Sequence, residues 1–163
     1  MRIGVVSDTH NNVRNIKKLI HIFNKEKVDK VIHTGDISKA KSLELFSKLN
    51  APLIGVYGNN DRIENGLEEI ALKYSFYFQQ PPLSVALDNK KIAVFHEPDE
   101  IEDYVKEHND LDLVLHGHTH RFRQEIKGNT IYFNPGESAG FLEGKSVVGI
   151  VDLHDLSIKR IFF

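Results

Sequence analysis

Two spacings of apolar residues alternate along the chain, and they predict a succession of short buried strands and amphipathic helices. Residues 2–7 form an apolar run that stops at Asp8-Thr9-His10, the pattern of a buried strand feeding a loop. Val13, Ile16, Ile20 and Phe23 then recur at helical spacing, with Asn11 or Asn12 available as N-cap. Val31 and Ile32 mark a second strand, broken at Thr34-Gly35-Asp36. A helix over residues 41–48 is expected to bury Leu45 and Leu49, and residues 52–57 give a third strand closed by Gly58-Asn59-Asn60-Asp61. Such a β-loop-α alternation is the signature of a sheet with crossover helices.

After a helix near residues 63–73 the pattern becomes more β-like. Residues 83–87 and 91–95 flank Asp88-Asn89-Lys90, a hairpin turn. A helix at 99–108 precedes a strand at 113–116 that enters Gly117-His118-Thr119-His120. Further strands are predicted at 122–126, 130–133, 147–152 and 157–162, with Gly128-Asn129 as one turn. The run Gln79-Gln80-Pro81-Pro82 reads as a loop too short to separate domains. Residues 1–163 are therefore expected to form one α/β domain, with strands enough for two packed sheets.

Composition then narrows the function. Hydrophobic residues make up 40% and charged residues 27%, ordinary values for a globular protein. A net charge of -2 with no basic block lacks the electrostatic footprint for long nucleic acid. A nucleotide or short oligonucleotide stays open as a substrate. Without cysteine there are neither disulfides nor thiolate metal sites. No apolar stretch approaches the ~20 residues of a membrane helix. With the first strand starting at Arg2 there is no room for a signal peptide, so a cytoplasmic protein is expected.

The candidate chemistry lies in where certain polar residues fall. Asp8/His10, Asp36, Asn59, His96 and His118/His120 each follow directly on an apolar strand. In α/β sheets, ligands bind where loops converge at the carboxyl ends of strands. Asp8 and His10 sit two apart, so in an extended loop both side chains point toward one cation, and His118 and His120 repeat the arrangement. Gly35, Gly58 and Gly117 let the neighbouring side chains approach closely. Four imidazoles, two carboxylates and one amide form an N/O donor set that suits Mn, Fe, Zn, Co or Ni. Seven ligands are more than one catalytic ion takes while keeping room for water. Two ions sharing one bridging carboxylate, about 3.5–4 Å apart, account for the number better.

Asp8-x-His10, Gly35-Asp36, Gly58-Asn59-x-Asp61, His96 and Gly117-His118-x-His120 occur in the order found in calcineurin-like metallophosphoesterases. Over essentially its whole length the chain resembles the compact archaeal and bacterial phosphodiesterases of that superfamily, with Asn134-Pro135-Gly136-Glu137 fitting their late loop. The resemblance implies a four-layer αββα sandwich with two mixed β-sheets and a metal site at the strand C-terminal edge. It also implies two divalent ions, manganese foremost, with Ni, Co, Zn, Fe or Mg as alternatives. Asp8, His10 and His120 would hold the first ion, Asn59, His96 and His118 the second, and Asp36 would bridge. A hydroxide between the ions would attack phosphorus in line. Asn60 and His120 are the candidate catalytic residues.

Two positions depart from the pattern. Asn60 stands where the family commonly has a His able to protonate the leaving group, and an amide delivers no proton. A preference for low-pKa leaving groups is expected. Glu97 follows His96 where close relatives usually have Gly, and it either accepts a hydrogen bond beside the ligands or narrows the opening.

The expected activity is a phosphodiesterase acting on small or nucleotide-like esters, with no membrane partner and with homo-oligomers possible. A phosphomonoesterase and a non-catalytic metal-binding interaction module of the same fold are the alternatives. Asp36 also fits a helix N-cap, and Asn59 fits a plain turn former. Asp61 reads as structural, orienting Asn60 or capping the next helix. Arg62 and Arg121 suit either phosphate contacts or exposed ion pairs. His21, His33, His108, His116 and His154 are assigned no chemical role.

Overall fold

The computed structural model describes residues 1–163. In chain order the elements are β1 (Arg2–Val6), α1 (Val13–Glu26), β2 (Lys30–His33), α2 (Ala40–Leu45), β3 (Leu53–Val56), α3 (Leu67–Lys73), β4 (Tyr77–Gln79), β5 (Leu83–Leu87) and β6 (Lys90–Val94). They continue with α4 (Ile101–Glu107), β7 (Leu113–Leu115), β8 (Arg123–Lys127), β9 (Thr130–Asn134), β10 (Val147–Asp152) and β11 (Ser157–Phe162). One sheet has the order β11-β10-β1-β2-β3-β4, and the other β5-β6-β7-β9-β8.

The alternation of side chains along each strand builds three cores between four layers. In β1, Ile3 and Val5 face the second sheet, whereas Val6 faces α1. In β6, Ile92 and Val94 point between the sheets and Ala93 points outward to α4. Helices α1, α2 and α3 cover the first sheet through Ile16, Leu19, Phe23, Leu43 and Leu67. Ile101 of α4 covers the second, with Phe95, Val114 and Tyr132. Each fully buried aliphatic side chain contributes about 1.5–3 kcal/mol. The outcome is the expected αββα sandwich with two mixed sheets.

Strand directions position the site. β1, β2, β3 and β4 are parallel, as are β6, β7 and β9. The loops leaving β1, β2, β3, β6, β7 and β9 therefore emerge along one edge of the sandwich. The asparagine at the first helix start is Asn12, whose side chain accepts the N–H of Asn15 at 3.1 Å.

The structure corrects the sequence reading in four places. β4 was not expected: Gln79, assigned to a loop, ends a strand whose register with β3 pairs Ile54 with Tyr77. Its three residues are too few to show a period. The helix expected over 63–73 starts only at Leu67, because Gly66 adopts φ 85° immediately before it. The helix expected over 41–48 tightens into a 3₁₀ turn at Phe46–Lys48, so Leu43 and Phe46 are fully buried while Leu45 and Leu49 pack at the margin. The helix expected over 99–108 likewise begins with a 3₁₀ turn at Pro98–Glu100.

Candidate metal centre

All seven residues singled out as ligands converge at the shared edge. Asp8 and His10 come from the loop after β1, Asp36 from that after β2, and Asn59 from that after β3. His96 follows β6, and His118 and His120 follow β7. Two groups draw their ligand atoms within 4.8 Å of one another: Asp8, His10 and His120, and Asp8, Asp36 and His96.

Convergence is not produced by an extended loop, as the two-residue spacing suggested. Asp8, His10, Asp36, His118 and His120 all have left-handed backbone, with φ of 52°, 37°, 59°, 66° and 56°. This conformation costs an L-residue roughly 1 kcal/mol or more. Its recurrence at five candidate ligands marks a place where the fold sustains local strain in order to aim side chains.

Buried hydrogen bonds hold these turns. Asp61, only 4% exposed, accepts the N–H groups of Asp36 (2.9 Å) and Gly58 (2.8 Å) on Oδ2. On Oδ1 it accepts those of Ile37 (2.9 Å) and Ser38 (2.7 Å). It therefore clamps the Asp36 loop to the Asn59 loop instead of capping α3. Burial pushes its carboxyl above the usual range, against the pull of these donors. The sequence assigns Asp61 a structural role, but three of its four partners lie 23 to 25 residues upstream and have no local signature. Close approach also explains two glycines: a Cβ at Gly58 would collide with the Asp36 carboxylate, and one at Gly117 would lie 2.8 Å from Asp8 Oδ2.

The geometry at the centre pairs oxygens with imidazole nitrogens. Asp8 Oδ2 accepts from Ser7 Oγ and from the His118 N–H at 3.1 Å. Its Oδ1 is buried without a well-aligned hydrogen bond, facing His120 Nε2 at 3.3 Å and His10 Nε2 at 3.7 Å. Asp36 Oδ2 lies 3.5 Å from His10 Nε2 and 3.4 Å from His96 Nε2. Asn59 Oδ1 lies 3.0 Å from His96 Nε2 and 3.1 Å from His118 Nδ1. Asp36 Oδ2 also accepts the Asn60 amide at 2.7 Å, and Oδ1 accepts the Asn60 N–H at 3.0 Å. His96 Nδ1 sits 2.8 Å from the Thr34 carbonyl, a donor position that leaves Nε2 as the inward-facing atom.

Charge follows from this packing. Burial would raise Asp8, but His10, His120 and Ser7 hold its carboxyl well below the usual range. Burial opposes the low value of Asp36 too, with His96 as the largest counterweight. Burial would lower His96, whereas Asp36 raises it; the carboxylate of Asp8 raises His120. The carboxylates of Asp36 and Asp8 thus favour the protonated forms of His96 and His120 beside them. An orphaned buried carboxylate oxygen ringed by imidazole nitrogens, with no sulfur in the set, fits divalent cations of the N/O-preferring kind.

Residues 1–156 match the family described as the calcineurin-like phosphoesterase superfamily domain. The chain belongs to that superfamily. Within it, the chain is 34% identical to Phosphodiesterase MJ0936 of Methanocaldococcus jannaschii, covering 99% of this chain and 98% of the relative. It is 23% identical to Phosphodiesterase YfcE of Escherichia coli, covering 97% and 95%. A solved archaeal phosphodiesterase superposes with TM-score 0.91 at 34% identity over 100% of both chains. Vps29 from Entamoeba histolytica, complexed with zinc, shares the fold at 17% identity and TM-score 0.70, covering 100% of this chain and 98% of that one.

Residues beside the centre have separate structural roles. Asp36 caps no helix, since α2 starts after Lys39 and has no side-chain cap. Glu97 forms an exposed ion pair with Arg62 at 3.3 Å. His33 is buried and neutral, its pKa pushed down to about 3 by burial, and its Nδ1 accepts the Gly35 N–H at 3.0 Å. Phe141 was not anticipated. Its ring lies against His120 and His10, yet an isolated Phe in a glycine-flanked loop carries no periodic signal.

Proposed function

We propose that this protein is a phosphodiesterase that holds two divalent cations, manganese foremost, on Asp8, His10, Asp36, Asn59, His96, His118 and His120. The observation that carries the reading is the convergence of Asp8 Oδ1, Asp36 Oδ2 and Asn59 Oδ1 with four imidazoles. Asp36 faces His10 of one group and His96 of the other, which suits it to bridge. Such cations, when bound, withdraw charge from phosphoryl oxygens and acidify water.

The chain's own residues do the rest. Asp61 fixes the turn that carries Asp36, and Asn60 orients the Asp36 carboxylate through two hydrogen bonds. Asn60 carries no transferable proton, so the leaving group departs with little acid assistance. His120 directs its Nε2 toward Asp8 Oδ1 at 3.3 Å, where with His10 it would hold the first cation. The substrates are small or nucleotide-like phosphodiesters, and no helix is long and apolar enough to cross a membrane.

The test is metal analysis together with hydrolysis of bis-p-nitrophenyl phosphate and p-nitrophenyl phosphate in Mn, Ni, Co, Zn or Mg. Two ions per chain, a faster diester and a rate rising steeply with leaving-group acidity are expected. A protein that binds metal yet hydrolyses neither ester with any ion refutes the reading; a faster monoester makes it a phosphomonoesterase.

A further inference from the structure

Phe141 is an exposed aromatic residue held against a polar centre. Its ring stacks on His120 with centroids 5.2 Å apart and planes 15° apart. It also lies 5.1 Å from the His10 ring, tilted by 50°. Even so, 61% of the residue remains exposed, as does 63% of Leu142 beside it. The His120 ring stacks on Phe141 and the His10 ring tilts against it, and more than half of the residue stays open to solvent.

The segment leading into Phe141 is anchored by hydrogen bonds from several elements. Glu137, 2% exposed, accepts the N–H of Gly140 at 2.7 Å. Asn12 donates to the Ala139 carbonyl at 2.5 Å and Asn15 to the Ser138 carbonyl at 2.9 Å. The Ser138 N–H reaches the Ser7 carbonyl at 3.1 Å, one residue from Asp8. Phe141 is thus registered to the backbone that supplies the candidate ligands. An apolar ring so placed gains little from the protein itself, and its open surface is available to a ligand.

We propose that Phe141 is the specificity-determining residue of this centre: its ring takes the planar organic group of a phosphoester whose phosphoryl group sits at the cations. The proposal rests on the two-cation reading above. An ester group bonded to that phosphoryl oxygen extends outward past His10 and His120, into the reach of the Phe141 ring. Aryl or nucleobase-bearing esters gain stacking there, and short alkyl esters do not.

Equilibrium binding of two non-hydrolysed probes to the manganese-loaded protein, measured by calorimetry, tests this. Phenylphosphonate is expected to bind about fivefold to tenfold more tightly than methylphosphonate, as one aromatic stacking contact supplies. In Phe141→Ala the ratio falls to about twofold or less, and Phe141→Tyr restores it. The chain has no tryptophan, so Phe141→Trp adds a single indole whose emission responds to p-nitrophenylphosphonate if the group lands on it. Equal binding of both phosphonates by wild type, or a preference kept in Phe141→Ala, overturns the role of Phe141 alone. Failure of both phosphonates to bind the manganese-loaded protein overturns it together with the phosphoesterase reading on which it rests.

Discussion

At the edge where β5 turns into β6, left-handed backbone reverses the chain: Asp88 and Asn89 have φ of 51° and 61° and join the paired residues Leu87 and Lys90. At the opposite edge, the left-handed residues Asp8, His10, Asp36, His118 and His120 follow parallel strands, where the chain must cross over and no hairpin is made. The first edge uses Asp and Asn, whose short polar side chains tolerate that conformation, in a two-residue turn. The second places three histidines in it. The same backbone state therefore serves topology at one edge and chemistry at the other. What separates them is support: exposed turn residues at the first, buried hydrogen bonds to Asp61, Asp8 and Ser138 at the second.

The sharpest way to break this contrast is Asp36→Ala. It removes the carboxylate oxygen that lies 3.5 Å from His10 Nε2 and 3.4 Å from His96 Nε2. Paired-metal binding and diester hydrolysis are expected to fall together, the rate by roughly a thousandfold or more. Metal stoichiometry and turnover on the same sample provide the check. Full activity in this variant would remove Asp36 from the chemistry.

Asp61→Ala comes next. Four N–H groups, three of them in buried hydrogen bonds, lose their acceptor, and a loss of about 3 kcal/mol or more in unfolding free energy is expected in urea titration. Metal affinity should weaken as well, because the Asp36 turn is no longer held, and Asp61→Asn should be intermediate in both. Unchanged stability with weakened metal binding would assign Asp61 to the site rather than to the fold.

The smallest effect belongs to the other edge. Asn89→Gly keeps access to positive φ, so stability should shift by less than about 0.5 kcal/mol with metal affinity unaltered. A change in metal affinity from that position would show that the two edges are not independent.

The sequence pattern conveyed much of this arrangement because the buried strands are short, apolar and each closed by a polar block. β10 and β11 fall where their spacing predicts, and the hairpin turn at Asp88-Asn89 follows from its residue types. β4 was illegible because it is three residues long and partly exposed, with its pairing supplied only by β3. At the centre, residue types identified which side chains meet, but not how. Left-handed φ at histidine has no sequence mark, and the Asp61 clamp joins residues separated by more than twenty positions. Phe141 escaped for the opposite reason: exposed apolar residues are common, and only its contact with His10 and His120 sets it apart.

The contact between Asp8 and His118 spans 110 residues, and so does that between His10 and His120. As the chain leaves the ribosome, Asp8 and His10 emerge early and wait for partners from the second sheet. No amino-terminal fragment ending before residue 118 holds the full set. Cation capture on this set would thus be a late event, registering the docking of one sheet on the other.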